Sequence, residues 1–270
     1  MKIGLDFLTT VVESKRARLE KARSHVSLHN LRASASEART RAARHAFRSA
    51  LNNDKRINII AEIKRASPSK GDLGLNATVE EVARAYTRGG AVAVSVVTEE
   101  DYFNGSLEDL RTVRRSVSLP VLRKDFIFDE YQVYESAAAG ADALLLIVAL
   151  LDDETLARLR NLTEVELGMD ALVEVHTREE MRRASKSGTT LIGVNNRNLH
   201  TFEVSIEASL ELITEAPGGA LLVSESGLRN GAQLKRLLSL GYRGFLIGES
   251  LIGTENTEDS LRSIVREAEG

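Results

Sequence analysis

The chain contains no cysteine. That absence excludes disulfides, thiolate metal sites, iron–sulfur clusters and a cysteine nucleophile, and it fits a reducing cytoplasm. Proline is scarce as well, with 3 in 270 residues, and no proline-, glycine- or serine-rich linker interrupts the pattern. One domain is therefore expected over residues 1–270. Long apolar runs are also missing: the longest, Ala137 to Leu151, holds Gly140 and Asp142 and is too short to span a bilayer. The opening Met1-Lys-Ile-Gly-Leu-Asp-Phe7 places an acid where a secretion signal needs an uninterrupted apolar segment. A soluble, cytoplasmic protein with no membrane partner is the expectation. The histidines are scattered and none stands at metal-ligand spacing with carboxylates, so no metal site is expected.

Charge is unevenly spread. The net charge is −3, yet residues 14–48 carry +8 and the remainder −11. A basic arm of this kind can bind nucleic acid, but Phe47 is its only aromatic ring besides histidines, so no stacking platform accompanies it and no nucleic-acid partner is expected. Two other readings stay open. The arm is a solvated helix face, or it is a helical extension that leans over an active-site mouth and raises the positive potential there for a polyanionic small substrate.

From residue 57 onward, short β-branched or leucine-rich runs alternate with longer amphipathic segments. The runs are Ile57–Ile63, Ala91–Val97, Pro120–Lys124, Ala143–Val148, Ala171–Val175, Leu191–Asn195, Ala220–Glu225 and Gly244–Gly248. Helices are predicted over Thr78–Arg88, Ser106–Ser116, Glu130–Ala139, Asp152–Leu167, Arg178–Lys186, Glu207–Glu215 and Asn230–Leu240. Eight such units predict an α/β protein, a (β/α)8 TIM barrel over 51–270 with an N-terminal helical extension over 1–50. A doubly wound open sheet is the rival, but no Gly-x-Gly-x-x-Gly follows the first strand.

Polar residues gather at the strand ends, which is the rim where barrel enzymes do their chemistry. In an extended strand, Glu62 and Lys64 share a face and enter one cavity together. Beyond them Pro68 stops the strand, Ser67 and Ser69 offer hydroxyls, and Gly71 allows a close turn. Ser224-Glu-Ser-Gly227 follows the seventh strand and Leu246-Ile-Gly-Glu-Ser250 the eighth. Glycine at a strand-to-helix turn, with backbone N–H groups at a helix N-terminus, predicts a phosphate site in those two loops.

Six segments taken together resemble the indole-3-glycerol-phosphate synthase family. They are Ala61-Glu-Ile-Lys-Arg-Ala-Ser-Pro-Ser69, Thr98-Glu-Glu-Asp-Tyr-Phe-Asn-Gly-Ser106, Leu122-Arg-Lys-Asp-Phe126, Leu172-Val-Glu-Val-His176, Ile192-Gly-Val-Asn-Asn-Arg197 and Ser224-Glu-Ser-Gly227. The resemblance covers nearly the whole chain. It implies a (β/α)8 barrel that converts 1-(2-carboxyphenylamino)-1-deoxyribulose 5-phosphate into indole-3-glycerol phosphate, losing carbon dioxide and water, with no cofactor. It further implies Lys124 as general acid and Glu174 as base, with Lys64 either a second acid or an anion ligand. Glu62, Asn195 and Glu225 would orient the lysines and sugar hydroxyls. Ser67 and Arg197 would hold the anionic ends of the substrate, while Ser226, Gly227, Gly248 and Glu249 would form the phosphate loops. Phe103 and Phe126 would pack on the aromatic ring, or simply fill the core. Asp125, of opposite parity to Lys124, should face the helices. His176 is expected to be a solvent-facing helix cap. One departure is Leu251-Ile-Gly-Thr254, where the family commonly runs Leu-Met-Arg. A monomer is expected, with a dimer as the alternative. Two rivals remain at this stage: a sugar-phosphate aldolase using Lys124 as a Schiff-base nucleophile, and a phosphate-binding protein that has lost its chemistry.

Overall fold

The computed structural model describes residues 4–54, 56–68, 70–74, 77–199, 201–252 and 256–270. Eight strands close into a barrel: β1 (Ile59–Ile63), β2 (Ala93–Val97), β3 (Val121–Lys124), β4 (Ala143–Ile147), β5 (Asp170–Val175), β6 (Leu191–Asn195), β7 (Leu221–Glu225) and β8 (Gly244–Ile247). Every pairing is parallel, and β1 closes the ring by bonding to both β8 and β2. The fold is the (β/α)8 barrel that the repeat predicts. Each apolar run overlaps one strand, with differences of one or two residues at the ends.

Alternation along the strands sorts side chains into two cores. Ile60, Leu122, Leu145, Leu172 and Leu246 belong to an interior cluster, while Ile59, Ala61, Val94, Val96, Leu144 and Val173 pack outward against the helices. The surrounding helices are α4 (Val79–Arg88), α5 (Leu107–Ser116), α6 (Glu130–Ala138), α7 (Asp153–Asn161), α8 (Arg178–Lys186), α9 (Glu207–Leu212), α10 (Gly231–Leu240) and α11 (Thr257–Glu269). Thr78, Ser106, Asp129, Asp152, Thr177 and Asn230 each accept a backbone N–H bond as N-cap residues. Such caps stabilise a helix by about 1 kcal/mol each and set where each rim loop ends.

Three helices precede the barrel: α1 (Gly4–His25), α2 (Leu28–Thr40) and α3 (Ala46–Leu51). Phe47 and Leu51 of α3 join the interior cluster and close the N-terminal end of the barrel. His45 gives α3 no side-chain cap; Asp170 supplies one across the fold, accepting from the Arg48 N–H at 2.8 Å. With that end covered by apolar groups, the inward carboxylates and lysine described below lie at the other end.

The basic arm docks onto the acidic barrel. Lys15, only 5% exposed, contacts Asp125 at 2.8 Å and Glu100 at 3.0 Å. Arg18 pairs with Asp101, Arg23 with Asp129 and Arg32 with Glu130. The extension does lean over the mouth, but these cations are matched by barrel carboxylates, so the expectation of a raised positive potential there is corrected for them.

Candidate active site

Inward parity carries Glu62, Lys124, Glu174, Asn195 and Glu225 to the C-terminal end of the strands, where a cavity of about 400 Å³ opens. Lys124 Nζ lies 3.2 Å from Glu174 Oε2 and 3.3 Å from Glu225 Oε2. Lys64, just past the end of β1, lies 3.1 Å from Glu62 Oε1. Asn195 Oδ1 accepts from the Arg197 backbone N–H at 3.0 Å and so shapes the β6 loop. Glu62, Lys64, Lys124, Glu174, Asn195, Arg197, Ser226, Gly227, Gly248, Glu249, Phe103 and Phe126 all line this cavity. Glu225 is buried against Lys124 beside the lining. Ser67 is not part of the wall. It sits buried in a two-residue ladder with Gly71, and its hydroxyl has no hydrogen-bond partner among the described residues. Ser69 lies outside the described residues, as do Gly253 and Thr254 of the departing segment.

The carboxylates and the ammonium perturb one another. Burial by itself would strip the proton from Lys124, but Glu174, Glu225 and Glu62 outweigh it and hold the ammonium well above its ordinary range. Burial would likewise raise Glu174, yet Lys124 and His176 pull it below the usual carboxylate range. Glu225 goes the other way. Burial raises it, and the neighbouring Glu174 and Glu62 add repulsion that Lys124 does not offset. Two carboxylates with opposite shifts beside one cation make an acid and a base at one locus. A Cβ at Gly193 would collide with Glu225 Oε1, so only glycine there lets that side chain reach Lys124.

Asp125 follows its parity. It points away from Lys124, accepts from Thr98 at 2.7 Å, and pairs with Arg123 at 3.0 Å and with Lys15. His176 does not follow its expectation. Its side chain is 7% exposed, with Nε2 3.4 Å from Glu174 Oε1 and Nδ1 3.2 Å from Glu180 Oε2. The solvent-facing cap reading is therefore corrected: two acids draw the ring inward.

At the anion rim, Ser226 and Gly227 both hold positive φ, 66° and 74°. Asn196 Nδ2 donates to the Ser226 carbonyl at 3.1 Å and steadies that turn. After β8 the expected helix N-terminus is displaced. Residues 249–252 form a single turn in which the Leu251 and Ile252 N–H groups bond back to Gly248, and α11 begins only at Thr257. Glu249 contributes more than backbone, because its carboxylate meets Arg197 at 2.8 Å and Lys70 at 2.7 Å. Lys70 is a wall residue that the sequence reading passed over.

An aromatic wall completes the cavity. Phe103 and Phe126 stand 6.3 Å apart, and Phe7 of α1 meets Tyr102 at 5.1 Å, Phe202 at 5.8 Å and Phe126 at 6.3 Å. Phe7, Leu8 and Phe202 were not legible as wall residues, since no local pattern brings them together. Glu99, buried at the end of β2, accepts from the backbone N–H groups of Asp101, Tyr102 and Phe103 and fixes the loop that carries Phe103.

A family model described as indole-3-glycerol phosphate synthase matches residues 8–264. The chain is 46% identical to the indole-3-glycerol phosphate synthase of Carboxydothermus hydrogenoformans over 265 residues, covering 96% of this chain and 99% of that protein. It is 40% identical to the one from Bacteroides thetaiotaomicron over 261 residues, covering 97% and 98%. Among solved structures it is similar to a thiamine phosphate pyrophosphorylase from Pyrococcus furiosus, with a TM-score of 0.58 at 20% identity, covering 82% of this chain and 100% of that one, a likeness of fold alone. The full-length match, together with the barrel and its rim, places the chain in the indole-3-glycerol phosphate synthase family.

Proposed function

We propose that the chain closes the indole ring of 1-(2-carboxyphenylamino)-1-deoxyribulose 5-phosphate, releasing carbon dioxide and water, with Lys124 as general acid and Glu174 as base. The observation that carries this reading is the charged Lys124 ammonium held between Glu174 and Glu225 at the base of the cavity. As the ring carbon bearing the carboxylate attacks the ketone, negative charge develops on the ketone oxygen. Lys124 donates to that oxygen, and the carbon–carboxylate bond then breaks, its electrons restoring the aromatic ring. The new hydroxyl must next depart as water. That step takes one proton to the hydroxyl and removes one from the adjacent methylene carbon, so that the carbon–carbon double bond of the five-membered ring forms while the nitrogen keeps its hydrogen; Glu174 accepts the methylene proton. Lys64 stands where it can serve as the second acid. Glu62 holds it at 3.1 Å, and Asn195 and Glu225 orient the remaining polar groups. Arg197, with the Ser226, Gly227, Gly248 and Glu249 backbone, binds the phosphate, and Phe103 and Phe126 flank the aromatic ring.

A Schiff-base aldolase needs a neutral amine, and three carboxylates oppose that state at Lys124. Borohydride in the presence of substrate should give no covalent adduct. We read residues 1–270 as one domain of a cytoplasmic enzyme, a monomer with a dimer as the alternative. Fluorescence detection of indole-3-glycerol phosphate from the purified chain and the carboxyanilino substrate is the direct test. A folded chain that gives no product would refute the reading.

A further inference from the structure

His176 lies outside the acid–base pair just described, yet it touches the base. Its Nε2 approaches Glu174 Oε1 at 3.4 Å, while Lys124 approaches the other oxygen, Oε2, at 3.2 Å. Each oxygen of Glu174 therefore faces a different cationic or potentially cationic group. On the far side of the ring, Glu180 Oε2 accepts from the His176 backbone N–H at 2.8 Å and lies 3.2 Å from Nδ1. Glu180 belongs to the first turn of α8, so helix and strand end together fix the ring plane. A neutral imidazole carries one N–H, and here both nitrogens face carboxylates. Only the imidazolium presents an N–H and positive charge to both.

We propose that His176 is a positioning residue which, as an imidazolium held between Glu180 and Glu174, keeps Glu174 ionised and turned toward Lys124. Nε2 is buried and makes no hydrogen bond among the described residues, and its close approach to Glu174 is one of charge. Burial acts to discharge the ring, but Glu180, Glu174 and Glu225 together raise its affinity for the proton. The charged groups facing Glu174 are Lys124 across the cavity and His176 beside it, with Glu225 and Glu62 contributing negative charge to the same cluster. Two cations against this excess of carboxylate explain how Glu174 stays a base while Glu225 is driven toward its protonated form.

The inference rests on Glu174 being the proton acceptor, and the test separates the two. His176→Gln keeps the size and a donor but removes the charge, so the proton affinity of Glu174 rises. The acidic limb of the kcat profile then moves to higher pH, and turnover at pH 6 falls about tenfold, with a smaller loss at pH 8 and KM unchanged. Glu180→Gln removes one of the two acids and gives an intermediate shift. Acidic limbs that coincide with the unsubstituted chain in both variants would overturn the proposal. If His176→Gln does not fold, as judged by circular dichroism, Glu180→Gln decides in the same way. Carboxylate ¹³C NMR titration of Glu174 needs no turnover: a Glu174 titration unmoved by His176→Gln sinks the inference, whereas absence of product from the unsubstituted chain sinks only the synthase reading.

Discussion

Replacing Lys15 with Met tests how the helical extension is bound to the catalytic strand. Lys15 places its ammonium 2.8 Å from Asp125, whose side chain is fully buried next to Lys124 in sequence. Removing one partner of a buried pair costs about 3–5 kcal/mol when the other is left alone. Asp125 keeps Arg123 at 3.0 Å and the Thr98 hydroxyl at 2.7 Å, so a cost at or below the bottom of that range, about 2–3 kcal/mol, is expected here. For a chain of this size that corresponds to a fall in Tm of about 5–10 °C. Circular dichroism melting reads the loss, and a KM assay reads its consequence, because a loosened α1 withdraws Phe7 and Leu8 from the cavity wall. Burial would raise Asp125, but Lys15 and Arg123 hold it down at about 2. Its stabilising contribution is present above the ordinary carboxylate value of about 3.9 and is lost as pH falls from about 4 toward 2. The gap between Lys15→Met and the unsubstituted chain should therefore narrow below pH 4. The double variant Lys15→Met with Asp125→Asn should be less destabilised than the sum of its parts. A Tm change under about 1 °C at pH 7, or strict additivity, would refute the staple.

Lys124→Ala should cost about 3 kcal/mol or more of transition-state stabilisation, a loss of at least about a hundredfold in kcat in the fluorescence assay; retained turnover would remove Lys124 from the mechanism. Phe103→Ala should raise KM for the carboxyanilino substrate far more than it lowers Tm, because Phe103 lies on the cavity wall; equal effects would make it a core residue only. Glu225→Gln should match the unsubstituted chain in stability at pH 4 and exceed it at pH 8. Burial raises the Glu225 carboxyl in the folded state, so the unfolded chain releases that proton first and the native protein loses stability as pH rises above the ordinary carboxylate value. Parallel pH–stability curves would show that Glu225 ionises normally.

Much of the architecture could be read from periodicity because a barrel strand reports its own environment. Alternating faces and a regular interval between apolar runs are local properties of the chain. Strand parity sets Glu62 beside Lys64, turns Lys124 inward and turns Asp125 outward, whereas Glu174, Asn195 and Glu225 are implied by the family resemblance. At His176 parity points toward Glu174, but a position past the end of β5 suggests solvent instead. Two acids, one of them on the following helix, reverse that choice. Ser67 pairs with Gly71 in a small ladder, which no local pattern of the sequence reports.

The order of elements, the closed sheet and the strand-end chemistry belong to the amino-acid sequence alone, because each depends on side chains a few positions apart. Only the tertiary structure decided which distant groups meet. Phe7 against Phe202, Lys15 against Asp125, Glu249 against Arg197, and Gly193 clearing a path for Glu225 are contacts between segments far apart along the chain. Charge state followed from those meetings. A carboxylate's proton affinity is set by burial and by the ions beside it, so Glu174 and Glu225, identical as letters, are shifted in opposite directions by position.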